Sequence, residues 1–354
     1  MKQLIDNIAL GYIPTKEQLI DLISQFDHSS LIIDYLKEKA VSLRKKYYGN
    51  KVYIRGLIEI SNYCKNDCFY CGIRRSNKNA RRYRLSPEEI LDCCRTGYEL
   101  GFKTFVLQGG EDCVCDNYII DVIKSIRSTY PDCAITLSIG EKSYEQYLAY
   151  YKAGANRYLL RHETANASHY SFLHPEELSL KNRMKCLTAL KEIGYQTGSG
   201  FMVGSPNQTY DTLACDLLYL KELKPDMIGI GPFIPHKDTP FANHPKGSLN
   251  LTLNLISLLR IMHPTALIPS TTALRSIATD GHLLGIGAGA NVIMPNLSPA
   301  KAKENYTLYD NKVHSGNEAA AGLQQLKEDI ASIGYEIISH RGDVINPNEA
   351  KYNN

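Results

Sequence analysis

Cys64-Lys65-Asn66-Asp67-Cys68-Phe69-Tyr70-Cys71, reached at the end of an apolar run from Val52 to Ile60, is the stretch on which the reading of the chain turns. Its spacing is C-x3-C-x2-C, with an aromatic residue directly before the last cysteine. Three thiolates this close in one loop can grip three corners of a cubic iron–sulfur cluster. The fourth iron would then lack a protein thiolate and stay open to another ligand, which makes it a reaction site. A structural zinc site is the competing explanation. Zinc prefers four protein ligands, usually as two C-x2-C-like knuckles, and no second knuckle follows.

The same stretch resembles the signature of the radical S-adenosylmethionine (SAM) superfamily, C-x3-C-x-aromatic-C. The resemblance implies that Cys64, Cys68 and Cys71 are metal ligands, and that a [4Fe-4S] cluster and SAM are the cofactors. In that superfamily the amino and carboxylate groups of SAM chelate the open iron, and one-electron cleavage of the sulfonium gives a 5′-deoxyadenosyl radical. Tyr70 would lie against the adenine.

A chain of 354 residues holds two average domains or one large barrel. Its net charge of +3 is nearly balanced and points to no polyanion partner. The basic cluster is Arg74-Arg75 to Arg81-Arg82, with Lys78 between. It reads first as a solvated loop and second as a docking patch for an acidic electron donor. No window reaches the ~18 apolar residues that span a bilayer. Ten cysteines with no leader at Met1-Lys2-Gln3-Leu4-Ile5-Asp6 imply a reducing, cytoplasmic setting, and an open cluster implies sensitivity to oxygen.

Hydrophobic periodicity predicts amphipathic helices up to residue 48, with Thr15 capping Lys16–Gln25 and a second helix over Ser29–Lys46. Beyond them, candidate strands fall at Val52–Ile60, Thr104–Gln108, Ala134–Ile139, Arg157–Arg161, Gly198–Val203, Met227–Ile230, Ala266–Ser270 and Asn291–Met294. Helical stretches alternate with them: Ser86–Leu100, Asn117–Thr129, Tyr144–Ala153, Leu180–Ile193, Thr209–Leu223 and Leu251–Met262. This is the period of an α/β chain closed as a (β/α)8 TIM barrel. The expected organisation is an N-terminal helical extension (1–48), the barrel (49–316), and a C-terminal helix and tail (317–354).

Barrel chemistry gathers at the C-terminal ends of strands. Those ends read Gln108-Gly109-Gly110-Glu111, Ser138-Ile139-Gly140-Glu141, Arg161-His162-Glu163-Thr164-Ala165-Asn166, Gly198-Ser199-Gly200-Phe201-Met202, Gly229–His236 and Ser270-Thr271-Thr272. Glycines admit close backbone approach, and carboxylates can receive an ammonium or ribose hydroxyls. His236 is read as a loop hydrogen bonder, and Arg183 by itself as an ordinary helix arginine. Together with Arg55–Glu59 and Asn291–Asn296, these phrases resemble the radical SAM maturases of [FeFe]-hydrogenase, from Val52 to about Tyr309. The resemblance implies that Ser138, Glu163, Arg183, Met202 and the Gly109-Gly110-Glu111 turn join Tyr70 around SAM. It also implies a catalytic interior lined by Arg55, Gln108, Thr136, Arg157, Thr271, Thr272, Met294 and Tyr306. Arg55 and Arg157 are expected to offer positive charge there, unless Glu59 and Glu163 neutralise them.

The same resemblance implies a substrate, an iron–cysteine complex carrying CO and cyanide. It also implies partners: HydG, which makes that complex, HydF, which receives the product, and a ferredoxin- or flavodoxin-type electron donor. Neither nucleic acid nor membrane is expected as a partner, and the chain is expected to be a monomer. Many such maturases carry a second, C-terminal cysteine set. Here no cysteine follows Cys215 and the stretch reads Asp310-Asn311-Lys312-Val313-His314-Ser315-Gly316, so no accessory cluster is expected. Cys93, Cys94, Cys133, Cys186 and Cys215 read as small hydrophobes; Cys113 and Cys115 are less easily assigned. The rival readings are a methylornithine synthase-like mutase and a non-catalytic iron–sulfur scaffold. Biotin synthase needs inner-strand cysteines that strands two, three and five lack.

Overall fold

The computed structural model describes residues 1–113, 116–313 and 319–345. Helices α1 (Lys2–Ala9), α2 (Lys16–Ser24) and α3 (Ser30–Tyr48) open the chain. The Thr15 hydroxyl accepts from the Gln18 amide while the Gln18 side chain accepts from the Thr15 amide, the reciprocal cap that starts α2. The chain then alternates: β1 (Lys51–Ile54), β2 (Gly56–Ser61), α4 (Pro87–Glu99), β3 (Thr104–Gly109), α5 (Asp116–Thr129), β4 (Ala134–Ser138) and α6 (Tyr144–Ala153). Next come β5 (Arg157–Leu159), α7 (Ala167–Leu173), α8 (Leu180–Ile193), β6 (Gln196–Ser199), β7 (Met202–Val203), α9 (Tyr210–Leu223), β8 (Met227–Ile228) and β9 (Gly231–Pro232). The remainder is α10 (Leu249–Met262), α11 (Thr272–Ile277), α12 (Gly281–Gly287), β10 (Val292–Ile293), α13 (Ala300–Asn305), α14 (Ala319–Ser332) and β11 (Glu336–Ile338).

Strand periodicity divides the residues between two faces. Phe105, Leu107, Ile135 and Leu137 bury against Ile90, Ile119, Val122, Ile123 and Tyr147 of the flanking helices. Val106, Gln108, Thr136 and Ser138 alternate to the other face, which carries the polar groups. Strands β2-β3-β4-β5-β6-β8 form one parallel sheet and β10-β1-β11 another, while β7 and β9 pair beyond the ends of β6 and β8. Parallel bridges at Leu57–Asn296, Met227–Leu267 and Pro269–Val292 run between the two larger sheets. The opening helices share one core with the strand-flanking ones: Leu19, Leu22, Leu36 and Ala40 cluster with Leu213, Leu217, Leu255 and Leu259.

Several expected elements differ in detail. The first strand is divided at Arg55 into β1 and β2. The run Gly198–Val203 breaks at Gly200, where a Cβ would stand 2.0 Å from the Gly229 carbonyl oxygen. Ala266–Ser270 forms only single bridges, and Pro269 has no amide to donate to a ladder. Strand β11 was not expected; it pairs with β1 in parallel, Lys51 opposite Glu336 and Tyr53 opposite Ile338. Among the described residues no helix is long and apolar enough to cross a membrane.

Candidate active site

The cysteine loop follows β2 and is tied down on every side. Asp67 takes a bidentate pair from Arg74, both bonds 2.7 Å, and the Ser76 amide at 3.0 Å. The Arg74 hydrogen bonds, ahead of the opposing effect of burial, hold the Asp67 carboxyl well below the usual range. Arg82 donates to the carbonyls of Asn62 (2.5 Å), Ile73 (2.9 Å), Arg74 (2.6 Å) and Asn77 (3.3 Å). Two of the five basic residues in the cluster are therefore loop scaffold, which corrects both sequence readings for Arg74 and Arg82; Arg75, Lys78 and Arg81 remain exposed. At Gly72 a Cβ would lie 2.1 Å from the Thr307 carbonyl and 2.3 Å from His236 Cδ2, so His236 packs directly against Gly72, the residue after Cys71. Gly110 is equally constrained, its Cβ position 2.2 Å from the Tyr63 carbonyl.

The three thiols are part-buried and lie within one another's electrostatic reach. Burial, then the neighbouring Cys71 and Cys64, push the Cys68 thiol far up, while burial and Cys64 push Cys71 up to about 12. As free thiols they resist ionisation, so a positively charged metal centre is the natural partner for them as thiolates. Cys113 is exposed, and Cys115 and residues 314–316 lie outside the described residues.

Around the loop stand the groups read as SAM-holding. Tyr70 packs with Met202, Leu173, Phe233 and Phe241. Its hydroxyl lies 3.2 Å from His174 Nε2, and His174 Nδ1 donates to the Tyr170 carbonyl at 2.9 Å. That bond leaves Nε2 as the acceptor for Tyr70, and burial, which pushes His174 down to about 3, keeps the ring neutral. Arg183, on α8, donates from Nε to Glu141 Oε1 at 2.5 Å and from Nη1 to the Arg161 carbonyl at 3.0 Å. Burial alone would lower its guanidinium, but Tyr170, Glu141 and Tyr70 hold it well above its usual value. It is thus a buried, fixed cation near Cys68, not an ordinary surface arginine.

Glu163 occupies the left-handed region, φ 64°, and its Oε2 lies 3.1 Å from Arg161 Nη2, an ion pair without hydrogen-bond alignment. The Glu111 carboxylate receives Lys65 Nζ at 3.0 Å and Asn66 Nδ2 at 2.9 Å, so it braces the cysteine loop. Ser138 ends β4 beside Gln108 of β3.

In the interior, Gln108 Nε2 meets the buried Tyr306 hydroxyl at 3.4 Å. Met294 and Thr272 line a separate cavity of about 350 Å³ whose wall is completed largely by α11, α12 and α14, through Arg275, His282, Leu283, Leu323 and Leu326; Gln108, Tyr306, Thr136, Thr271 and Arg55 do not line it. Thr136 Oγ1, Thr271 Oγ1 and two nitrogens of Arg55 are buried without a hydrogen-bond partner. The third, Arg55 Nη1, meets only Met227 Sδ at 3.0 Å. Burial, then the nearby Arg157, drives Arg55 far below its usual value.

Arg157 departs from expectation. It is the first residue of β5, at the N-terminal end of the sheet, and its fork is engaged by Thr104 Oγ1 (3.1 Å), Gln196 Oε1 (3.1 Å), the Arg341 carbonyl (2.8 Å) and Asp343 Oδ1 (2.7 Å). Neither Glu59 nor Glu163 neutralises an interior arginine. Glu163 takes Arg161, and Glu59 pairs with Lys312, whose Nζ also donates to the Tyr306 carbonyl at 3.0 Å. Lys312 and Asp343 were missed because each arrives from the far end of the chain, and no short-range spacing marks either.

The radical SAM superfamily model matches residues 58–217. Over 300 residues the chain is 48% identical to the [FeFe] hydrogenase maturase subunit HydE of Thermotoga maritima, spanning 84% of this chain and 85% of that one. The chain belongs to the HydE family. It is a radical SAM enzyme, and membership implies a [4Fe-4S] cluster and SAM. HydE-family sequence also approaches 3-methylornithine synthase of Methanosarcina barkeri, 30% identical and covering 86% of each chain. In three dimensions it resembles methylornithine synthase (PylB), with a TM-score of 0.82 and 27% identity over 95% of this chain and 97% of that one. The fold is shared with the maturase HydG, at a TM-score of 0.80 and 20% identity over 99% of this chain and 77% of that one. The HydE-family fold here is thus an α/β radical SAM fold built on a parallel sheet.

Proposed function

We propose that the chain acts in [FeFe]-hydrogenase maturation on an iron–cysteine complex bearing CO and cyanide, supplied by HydG, with the product passing to HydF. The observation that carries the cofactor assignment is the pinned loop that gathers Cys64, Cys68 and Cys71 beside Arg183, Tyr70 and Glu163. These residues suit the implied groups: the thiols would ligate the cluster, and the fixed Arg183 cation would meet the SAM carboxylate. Tyr70 and Met202 would wall the adenine, Glu163 would receive ribose hydroxyls or the ammonium, and the Gly109-Gly110-Glu111 turn and Ser138 would border the same site. When bound, cluster and SAM supply one-electron cleavage of the sulfonium and a 5′-deoxyadenosyl radical.

The substrate assignment draws support from the interior's unmatched donors. Arg55, Thr136 and Thr271 present N–H and O–H groups with no protein acceptor, so an anionic metal–cyanide ligand complements them. Gln108 and Tyr306 would shape the space and exclude water around it, while Thr272 and Met294 line the separate cavity. Arg157 is proposed to support the base of this space, since its donors are all engaged. The parallel bridges from Met227 through Leu267 and Pro269 to Val292 support a sheet closed as a (β/α)8 barrel over 49–316, with an N-terminal extension over 1–48 and a tail over 317–354. A cytoplasmic monomer reduced by a ferredoxin- or flavodoxin-type protein, without an accessory cluster, completes the proposal.

The test is anaerobic reconstitution. The expected result is about four irons per chain, 5′-deoxyadenosine with dithionite and SAM, and loss of both in Cys64→Ala, Cys68→Ala or Cys71→Ala. Preferential zinc binding would overturn the assignment, and about eight irons would reveal an accessory cluster. The methylornithine synthase likeness supplies the rival. Lysine carries two ammonium groups, yet Glu59 and Glu163 are already paired with Lys312 and Arg161. Turnover of lysine, with no adenosylated product from the iron complex, would favour that rival.

A further inference from the structure

We propose that Asp216, with His162, is a positioning residue that holds Glu163 toward the SAM site; this rests on the reading of Glu163 as a SAM-holding group. A non-glycine residue in the left-handed region persists only where its surroundings fix it. Glu163 has φ 64°, and the turn around it is held from several directions: the Arg161 carbonyl accepts from Arg183 at 3.0 Å, and Thr164 Oγ1 accepts the Asn166 amide at 3.3 Å and lies 3.2 Å from His169 Nδ1. The Glu163 amide donates to the Gly200 carbonyl at 3.1 Å, and the next amide, Thr164, folds back to the His162 carbonyl at 2.8 Å. A further restraint comes from behind. Asp216, on α9, is 0% exposed, and its Oδ1 accepts the Ala165 amide at 2.5 Å.

The same oxygen lies 3.5 Å from His162 Nε2, a close approach without a hydrogen bond, and His162 is also 0% exposed. On its other side, His162 Nδ1 is 2.9 Å from Ser199 Oγ, which meets the Leu160 carbonyl at 3.1 Å. The rings of Tyr219 (5.0 Å) and Phe201 (5.9 Å) close on the imidazole.

The residues flanking Glu163 are therefore held by α9, through the Ala165 amide, and by β6, through Ser199, leaving its carboxylate to pair with Arg161. A carboxylate buried on the inner face of a helix is costly where an apolar side chain would pack. What Asp216 contributes here is an acceptor aimed at one amide, two residues after Glu163.

The experiment uses anaerobically reconstituted holoprotein. It measures SAM dissociation constants by equilibrium binding, the SAM-induced change in the electron paramagnetic resonance of the reduced cluster, iron content and thermal midpoint. Asp216→Ala should weaken SAM about tenfold or more with iron content unchanged, while Asp216→Asn, which keeps an acceptor for the Ala165 amide, should stay within about threefold. In the Glu163→Gln background, Asp216→Ala should add less than about twofold, because the group being positioned is gone. Unchanged affinity in Asp216→Ala, or an equal loss in both backgrounds, would overturn the proposal as a merely structural effect. Should Asp216→Ala fail to hold iron, His162→Gln serves instead, with a loss of about threefold or more and the same non-additivity expected; unchanged affinity overturns the proposal equally. Should Glu163→Gln itself leave SAM affinity unchanged, the underlying assignment of Glu163 falls, a result distinct from the failure of Asp216 alone.

Discussion

Arg55 and Arg157 sit on the same sheet face, both buried, and could not be more different in how their charge is met. Arg157, at the base, has every guanidinium nitrogen in a hydrogen bond and a carboxylate, Asp343, at 2.7 Å. Arg55 has a sulfur contact and two nitrogens with no partner. A buried cation whose donors are all satisfied belongs to the framework. One that keeps open donors costs stability and marks where a ligand completes the protein. The contrast extends to the two ends of the strands. The base is closed by residues 341–343, whereas the opposite end carries the thiols, Arg183 and Glu163.

The sharpest way to break the comparison is at the base. Asp343→Ala leaves Arg157 buried with no carboxylate. Discounted for the part-exposure of Asp343, this should cost about 3 kcal/mol, read as a lowered chemical-denaturation midpoint. An unchanged midpoint would show that the pair is not framework. At the cofactor end, Arg183→Ala should weaken SAM binding by about 1.5–3 kcal/mol while the cluster absorption persists. Loss of the cluster together with SAM affinity would mean that Arg183 serves the loop instead.

Arg55→Met should behave in the opposite sense to the base variant. Apo stability should stay within about 1 kcal/mol of wild type or rise, since unsatisfied donors are removed, while turnover of the iron complex is lost. A large destabilisation would place Arg55 with Arg157. The smallest effect concerns pH. Despite burial, hydrogen bonds from Arg341 and the charge of Arg157 hold the Asp343 carboxyl well below its usual range. A depressed carboxylate stabilises fully above its unfolded value of about 3.9 and loses that contribution as pH falls further. The stability gap between wild type and Asp343→Asn should therefore be complete at neutral pH and shrink below about pH 4; a constant gap would exclude the ion pair as its origin.

Much of the site was legible because it is local. The cysteine spacing, the Gly109-Gly110 turn and the polar phrase from Arg161 to Asn166 are each contiguous, and the strands preceding them announce themselves by apolar runs. The illegible parts are partners brought from afar. Lys312 reaches Glu59 across 253 positions, and Asp343 reaches Arg157 across 186. Arg74 and Arg82 misled for a related reason: a run of basic residues looks solvated until the carbonyls that absorb its donors are known. Short strands, such as β8 and β10 with two residues each, and the lone bridges at Leu267 and Pro269 carry too little periodicity to set boundaries. Tertiary pairing, not propensity, decides them.

Strand β1 has a temporal side as well. Its neighbours are β10 and β11, both made almost a whole chain length later. On the ribosome, β3 to β6 and β8 can each pair with a strand already present, while β1 must wait with its ladder unfilled until residues near 338 emerge, and one edge of β2 waits for Asn296. Closing so long a loop is slow, and the waiting strand edge is sticky. The cysteine loop, by contrast, hangs from β2 and β3 and is available early. Shape at one end of the molecule and metal at the other thus fall due at different moments of its synthesis.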